Sequence, residues 1–91
     1  MKFTGSNVLI TGASKGIGAQ IAKTLGAFGL KVWINYRSGA EAAEAIKEEI
    51  EKAGGKAAII KADVTNEEEF TQAIKTIIDA DGELAYLVNN A

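Results

Sequence analysis

The stretch Thr11-Gly12-Ala13-Ser14-Lys15-Gly16-Ile17-Gly18 stands between a short apolar run, Val8-Leu9-Ile10, and an amphipathic segment at 16–28. Three glycines within seven residues allow a sharp backbone turn, and they let a phosphate approach the main chain without meeting a Cβ atom. The following helix offers unpaired N–H groups and a partial positive charge at its N-terminus. The stretch therefore predicts a pyrophosphate-binding loop. A merely tight turn would explain one glycine or two, but not all three.

Two better-known glycine patterns do not fit this loop. The spacing is not G-x-G-x-x-G, because position 21 is Ile. The phosphate loop of nucleoside triphosphatases needs Gly-Lys-Ser/Thr, whereas Lys15 precedes its glycine and no such tripeptide occurs. The ligand of the loop therefore has to be argued from the rest of the chain.

Outward from the loop, apolar runs alternate three times with longer amphipathic stretches. This alternation is typical of βαβ units on a parallel sheet. The strands are apolar at consecutive positions, as expected when helices cover both faces of the sheet. We predict an α/β fold, a three-layer α/β/α sandwich, with four parallel strands at 7–11, 31–36, 56–62 and 84–88 and three helices at 16–28, 40–53 and 66–79.

The periodicity also predicts how the helices pack and begin. Spacings of 4, 4 and 3 in the first helix place four residues on the face toward the sheet, namely Ile17, Ile21, Leu25 and Phe28. Two capping boxes, Ser38-x-x-Glu41 and Thr65-x-x-Glu68, are predicted to open the second and third helices.

The composition excludes several classes of function. The 91 residues include 10 Lys and Arg against 12 Asp and Glu, a net charge of -2, which argues against a general binder of nucleic acid or of acidic membranes. The absence of Cys and His removes disulfides, Cys/His zinc sites and a histidine general base, and we expect no metal site. No apolar stretch is long enough for a membrane helix, so we expect a cytoplasmic protein.

Two motifs at the ends of the first and fourth strands resemble one family. Thr11-Gly12-x-x-x-Gly16-x-Gly18 is similar to the cofactor motif of the short-chain dehydrogenase/reductases, and Asn89-Asn90-Ala91 resembles the start of that family's Asn-Asn-Ala-Gly motif. Within the family, the glycine loop and Asn35-Tyr36-Arg37-Ser38 look most like bacterial 3-oxoacyl-acyl-carrier-protein reductases. The resemblance implies a Rossmann-type sheet in the order 3-2-1-4. It also implies that residues 1–91 are the dinucleotide-binding half of a larger reductase domain.

The end of the second strand indicates which cofactor binds. NAD-binding folds place an acid there for the ribose 2′-hydroxyl, whereas this chain has Arg37, whose guanidinium can pair with a 2′-phosphate. Ser38 and Lys15 can add a hydrogen bond and a charge. We therefore predict NADP(H). The alternatives are that Arg37 and Lys15 only face solvent and that Ser38 only caps a helix.

The resemblance extends the predicted site to the third and fourth strands. It implies that Asp63 accepts from the adenine amino group, that Val64 packs on the ring and that Asn89 lies near the ribose. Asp63 could equally cap the following helix, and Asn89 could pin neighbouring strands. The complete set of predicted cofactor-binding residues is Gly12, Ser14, Lys15, Gly16, Ile17, Gly18, Arg37, Ser38, Asp63, Val64, Asn89 and Ala91.

The resemblance also implies that carbonyl reduction uses a serine, a tyrosine and a lysine that lie beyond the position of Ala91. Tyr36 and Tyr86 do not substitute, because the fourth residue after each is not Lys. We assign no catalytic residue to this chain and expect it to be inactive alone. The expected parent enzyme reduces 3-oxoacyl-acyl-carrier-protein thioesters in fatty acid synthesis. The alternative is a stand-alone or engineered NADP(H)-binding module without catalysis.

The strand order implied by the resemblance makes the fourth strand an edge. Residues 84–88 are apolar and uncharged, and such an edge recruits another chain. We therefore expect that the chain alone dimerises through this edge or swaps elements, or else folds only weakly, and that the protein is a homo-oligomer.

Overall fold

The computed structural model describes residues 6–90, in which strands and helices alternate along the chain. The elements are β1 (Asn7–Ile10), α1 (Gly16–Ala27), β2 (Lys31–Tyr36), α2 (Ala40–Lys52), β3 (Lys56–Lys61), α3 (Glu67–Asp81) and β4 (Tyr86–Val88). Every element predicted from the periodicity is present, with bounds within two residues of the prediction.

The four strands form one parallel sheet in the order β3-β2-β1-β4, which confirms the predicted topology. In the register, Val8 of β1 lies between Val32 of β2 and Tyr86 of β4. Because all strands run the same way, their C-terminal ends meet at one edge of the sheet, the carboxyl edge, and their N-terminal ends meet at the opposite, amino edge.

Alternate residues of the sheet enter two separate apolar clusters. The first joins β1 and β2 to α1 and α2, and its large buried members are Val8, Ile10, Leu30, Val32, Ile34 and Ile50. The second joins the other face to α3, through Leu9, Trp33 and Ile77. Each such side chain contributes about 1.5–3 kcal/mol when fully buried. Helices therefore cover both faces, and the three-layer sandwich is confirmed.

The prediction of which residues of α1 face the sheet is only half right. Two of its members, Ile21 and Leu25, pack partly buried against the first cluster, whereas Ile17 is 75% exposed and Phe28 is 43% exposed. The buried face consists of small residues instead: Gly18, Ala19, Ala22 and Gly26. The physical reason is close approach between helices, since a Cβ on Gly26 would lie 2.9 Å from Cγ2 of Ile50 in α2.

Both predicted capping boxes are wrong. Gly39, not Ser38, is the N-cap of α2, and no side chain caps that helix. In α3 the N-cap is Asn66, whose Oδ1 accepts from the N–H of Glu69 at 3.1 Å. Thr65 is unsuited to this role because its hydroxyl donates to Oδ1 of Asp63 at 2.6 Å, in the turn before the helix.

The amino edge is closed by a network around Asp81. Its carboxylate accepts from Nδ2 of Asn7 at 2.9 Å, from Nζ of Lys31 at 2.6 Å and from Nε1 of Trp33 at 2.7 Å. Nζ of Lys31 also lies 4.8 Å from the centre of the Trp33 ring. Trp33 is therefore a packing residue, with its ring in the second apolar cluster and its N–H bonded to Asp81. The network ties β1 and β2 to the end of α3.

Strand β4 is the short edge strand of the sheet. Among residues 6–90 it pairs with β1 alone. Tyr86 and Leu87 are each 47% exposed, and in β4 they point to opposite faces of the sheet. The edge is therefore apolar, as predicted.

Candidate functional site

The predicted site residues meet at the carboxyl edge. Thr11 follows β1, Arg37 follows β2, Ala62 and Asp63 follow β3, and Asn89 follows β4. In parallel α/β sheets ligands bind in the crevice outside the carboxyl ends of the strands, where the strand order changes direction. Here that point lies between β1 and β4, next to the glycine loop, which we define as residues 11–18.

The three glycines of the glycine loop have two different reasons to be glycine. Gly12 and Gly16 have φ angles of 63° and 62°, a left-handed conformation that side chains disfavour. Gly18 has an ordinary φ but no room, since a Cβ there would lie 2.4 Å from the carbonyl oxygen of Gly12 and 2.6 Å from Nδ2 of Asn90. The loop thus folds back onto the first turn of α1. A Cβ on Gly16 would meet nothing within 4 Å, so this part of the loop is open.

The start of α1 has N–H groups free for an anion. Within the described part of the chain, the N–H groups of residues 16, 17 and 18 have no backbone acceptor, and Ala19 donates only a long bond of 3.4 Å to the Lys15 carbonyl. No acidic residue lies in the first turn of α1, and no side chain caps it. Unpaired N–H groups and the positive end of the helix dipole favour a bound phosphate.

Two asparagines hold the glycine loop from either side. From β2, Oδ1 of Asn35 accepts from Gly12 N–H at 3.1 Å, and its main-chain carbonyl accepts from Ala13 N–H at 3.0 Å. From the end of β4, Nδ2 of Asn90 donates to the Gly12 carbonyl at 3.2 Å. Neither asparagine is among the residues predicted to bind the cofactor. The available signal for Asn35 is a polar residue at the end of an apolar strand.

The predicted adenine and ribose ends are linked by an ion pair. Nε of Arg37 lies 3.7 Å from Oδ2 of Asp63, and the Arg37 side chain is 78% exposed. Oδ1 of Asp63 accepts from both the hydroxyl and the N–H of Thr65. These bonds from Thr65, with the nearby Arg37 charge, hold the pKa of the Asp63 carboxyl below its ordinary value. Asp63 therefore does not cap α3, and one of its oxygens faces Arg37.

Asn89 makes a contact of the kind that its alternative interpretation expects, a hydrogen bond that joins neighbouring strands. The hydroxyl of Thr11 donates to Oδ1 of Asn89 at 3.2 Å, and Asn90 N–H donates to the same hydroxyl at 2.9 Å. These bonds join the ends of β1 and β4. Asn89 is nevertheless exposed.

The remaining predicted residues that the structure describes are partly or fully exposed. Ser14 and Val64 are half-buried, and Lys15, Ile17 and Ser38 are exposed. The position of Ala91 lies outside the described residues.

The sequence predicts neither a metal site nor a membrane-spanning helix. Residues 6–90 contain no group of three or more His, Cys, Asp or Glu side chains that could hold a metal ion. None of the helices in that range combines the length and the apolar character of a membrane span.

Comparison with known proteins identifies the family. The family model for short chain dehydrogenase matches residues 6–91. A 3-oxoacyl-[acyl-carrier-protein] reductase of Synechocystis is 44% identical over 89 residues, which cover 98% of this chain and 36% of that protein. The Staphylococcus aureus protein of the same name is 44% identical over 91 residues, covering 100% of this chain and 37% of its own length.

Solved structures agree with this result. A dehydrogenase/reductase from Sinorhizobium meliloti has a TM-score of 0.95 at 44% identity, covering 99% of this chain and 36% of its own. A metagenomic short-chain oxidoreductase, solved in complex with NADP, has a TM-score of 0.92 at 36% identity, covering 97% and 39%. The parallel sheet in the order β3-β2-β1-β4, with a glycine loop between β1 and α1, is the Rossmann-type fold of this class of oxidoreductases. The chain belongs to the short-chain dehydrogenase family, and it spans between 36% and 39% of the length of these relatives.

Proposed function

We propose that residues 1–91 bind NADP(H) at the carboxyl edge and form the dinucleotide-binding half of a carbonyl reductase. Two different features at the carboxyl edge support this most directly. Among residues 6–90, the N–H groups of residues 16–18 are unpaired, and the guanidinium of Arg37 lies at the end of β2. NADP(H) has a pyrophosphate and a 2′-phosphate, one for each feature.

The glycine loop fits a pyrophosphate. Gly16 is open on the side where a Cβ would project, and the N–H groups of residues 16–18 would donate to the phosphate oxygens. Gly12 and Gly18 would let the loop fold closely enough for this approach, while Ser14, Lys15 and Ile17 would line its mouth. Lys15 is exposed and would add a positive charge.

The end of β2 favours NADP(H) over NAD(H). An acid there would repel a 2′-phosphate, whereas Arg37 would pair with it and Ser38 would donate a further hydrogen bond. Ser38 is available for this role because it does not cap α2. Among residues 6–90, the Arg37 guanidinium is held by one long contact, to Asp63, so a phosphate could recruit it at small cost.

The adenine end would be formed by β3 and the ribose by β4. Oδ2 of Asp63 would accept from the adenine amino group, and Val64 would pack against the ring. Asn89 and Ala91 would line the cleft beside the ribose. In the bound state the nicotinamide supplies the hydride, and the residues named here bind and orient the dinucleotide.

The parent reaction is proposed from the relatives. Two of them are named 3-oxoacyl-[acyl-carrier-protein] reductase, and each matches this chain at 44% identity. We propose reduction of a 3-oxoacyl-acyl-carrier-protein thioester to the 3-hydroxy product in fatty acid synthesis, in the cytoplasm. We assign none of the catalytic side chains to residues 1–91, and we propose that the reductase is a homo-oligomer.

The test is calorimetric titration of the chain with NADPH and with NADH, wild type against Arg37→Ala. Loss of a charge-assisted contact with the 2′-phosphate should weaken NADPH binding by about 1.5–3 kcal/mol, and NADH binding should hardly change.

A matched control is Lys75→Ala on the exposed side of α3, which removes the same charge away from the site. It should leave both affinities unchanged. Equal losses for NADPH and NADH in Arg37→Ala would contradict the 2′-phosphate assignment, and no binding of either nucleotide to the wild type would contradict the proposed function.

A further inference from the structure

Asn35 is a buried polar side chain that directly follows three buried apolar residues of β2, at positions 32–34. It is 3% exposed, and its neighbour Ile34 belongs to the first apolar cluster. Burying a carboxamide is unfavourable unless its donors and acceptor are bonded. The two ends of the carboxamide bond different elements, the glycine loop on one side and the end of β3 on the other.

The bonds to the glycine loop fix the direction of its N–H groups. Gly12 donates to the side chain of Asn35, and Ala13 donates to its main chain. Two successive N–H groups therefore turn toward β2. The N–H groups of residues 16–18 are left for a ligand, and the geometry in which they are presented follows from the anchored residues before them.

The loop depends on Asn35 more than the end of β3 does. Nδ2 of Asn35 donates to the Ala62 carbonyl at 3.1 Å, but Ala62 is also held by its own N–H, which donates to the Tyr36 carbonyl at 3.0 Å. Gly12 N–H, in contrast, has no backbone acceptor among residues 6–90. Loss of the carboxamide should therefore move the loop and leave the adenine end in place.

We propose that Asn35 is a positioning residue that sets the phosphate-binding geometry of the glycine loop. The proposal rests on the function proposed above and adds a residue that does not itself need to touch the dinucleotide. It separates the pyrophosphate end, which depends on Asn35, from the adenine and 2′-phosphate end, which does not.

The test compares two ligands on the Asn35→Leu chain. NADPH reaches the glycine loop, whereas adenosine 2′-monophosphate has the adenine and the 2′-phosphate but no pyrophosphate. We expect NADPH to bind about tenfold more weakly or worse than to the wild type, as for one lost hydrogen bond in a buried site. Binding of adenosine 2′-monophosphate should change by less than about twofold.

Asn7→Leu is the matched control for lost stability. Asn7 is equally buried, at 2% exposure, and bonds three groups at the amino edge: Asp81, the Glu83 carbonyl and the Ala85 N–H. It should lower the unfolding midpoint as Asn35→Leu does, without changing either affinity. An equal loss for both ligands, or no loss for NADPH, in Asn35→Leu would overturn the proposal. A wild type that binds neither ligand would overturn the function on which the proposal rests.

A measurement on the wild type covers the case in which Asn35→Leu does not fold. Hydrogen exchange without nucleotide should find the Gly12 amide protected, and the amides of residues 16–18 unprotected until NADPH is added. Asn35→Ser, too short to span both partners, should release the Gly12 amide. Fast exchange at Gly12 in the wild type would overturn the proposal.

Discussion

The two edges of the sheet use similar residues in different ways. Each has a buried asparagine that joins strands to a neighbouring segment, Asn7 at the amino edge and Asn35 at the carboxyl edge. At the amino edge the donors meet a carboxylate, Asp81, and the network is closed. At the carboxyl edge the asparagine holds a loop whose following N–H groups, at residues 16–18, are unpaired within the described range 6–90.

This difference between the two edges explains why the volume of a cavity does not by itself locate the ligand-binding site. A hollow of about 580 Å³ lies at the amino edge, lined in part by Lys31, Lys56, Asp81 and Glu83. Lys31 and Asp81 already bond each other, so a ligand there would have to break an existing pair. A ligand at the glycine loop would instead supply acceptors that the N–H groups lack. Unsatisfied polar groups, rather than empty space, distinguish the carboxyl edge.

The largest effect should come from Gly18→Ala at the carboxyl edge. The new Cβ would overlap the backbone carbonyl of Gly12, which cannot move without moving the loop. We expect a loss of about 3 kcal/mol in unfolding free energy, the upper end for overpacking, and loss of NADPH binding. Urea unfolding and calorimetric titration measure the two quantities.

Gly54→Ala is the control for this substitution at the other edge. Gly54 has a φ of 92° and open space around its Cα, so a methyl group adds backbone strain but no collision. It should cost about 1 kcal/mol and leave NADPH affinity unchanged. If Gly18→Ala behaved like Gly54→Ala, the close approach of loop and helix would not matter for binding.

An intermediate effect is expected from Asp81→Asn at the amino edge. The variant loses the charged bond to Lys31 and places an amide donor against the three existing donors, those of Lys31, Trp33 and Asn7. We expect about 2 kcal/mol less stability at pH 7 by urea unfolding, with the same affinity for NADPH. A change in NADPH affinity would show that the two edges are not independent.

The same carboxylate makes stability depend on pH. Partial burial acts to raise the pKa of Asp81, but the hydrogen bonds from Lys31, Trp33 and Asn7 outweigh it and hold the pKa below the ordinary 3.8. Since the folded-state pKa is the lower one, the stabilisation is complete well above pH 3.8 and is lost as the pH falls through the folded value. Asp81→Asn should flatten this acid limb, leaving the contribution of Asp63, whose pKa is also lowered.

The smallest effect is expected from Asp63→Asn. The change removes a negative charge beside Arg37 and keeps an acceptor for the Thr65 N–H. The ratio of NADPH affinity to NADH affinity should rise about two- to fivefold, because the guanidinium no longer has a competing partner, while loss of the Oδ2 acceptor for adenine should weaken both nucleotides alike. Asp79→Asn, an equal charge change on exposed α3, is the control; a gain there would make the effect one of net charge.

The sequence was a good guide to the elements and a poor guide to their contacts. Alternating apolar runs predicted seven elements, because burial on both faces of a parallel sheet leaves a plain pattern. The same reasoning placed Ile17 and Phe28 inward, where glycine and alanine pack instead. It also placed the N-caps of α2 and α3 one residue too early. A Ser or Thr near the start of a helix does not by itself show which residue is the N-cap.

Local sequence alone determined that this chain has a glycine loop between a strand and a helix, a basic rather than an acidic residue after the second strand, and no histidine or cysteine. Each of these features can be seen in the residue types and their order along the chain. The tertiary structure decided that Asn35 and Asn90 hold the loop, that Arg37 meets Asp63 and that Asp81 closes the opposite edge. Each of these contacts joins residues more than twenty positions apart, and only the packing of parallel strands brings them together.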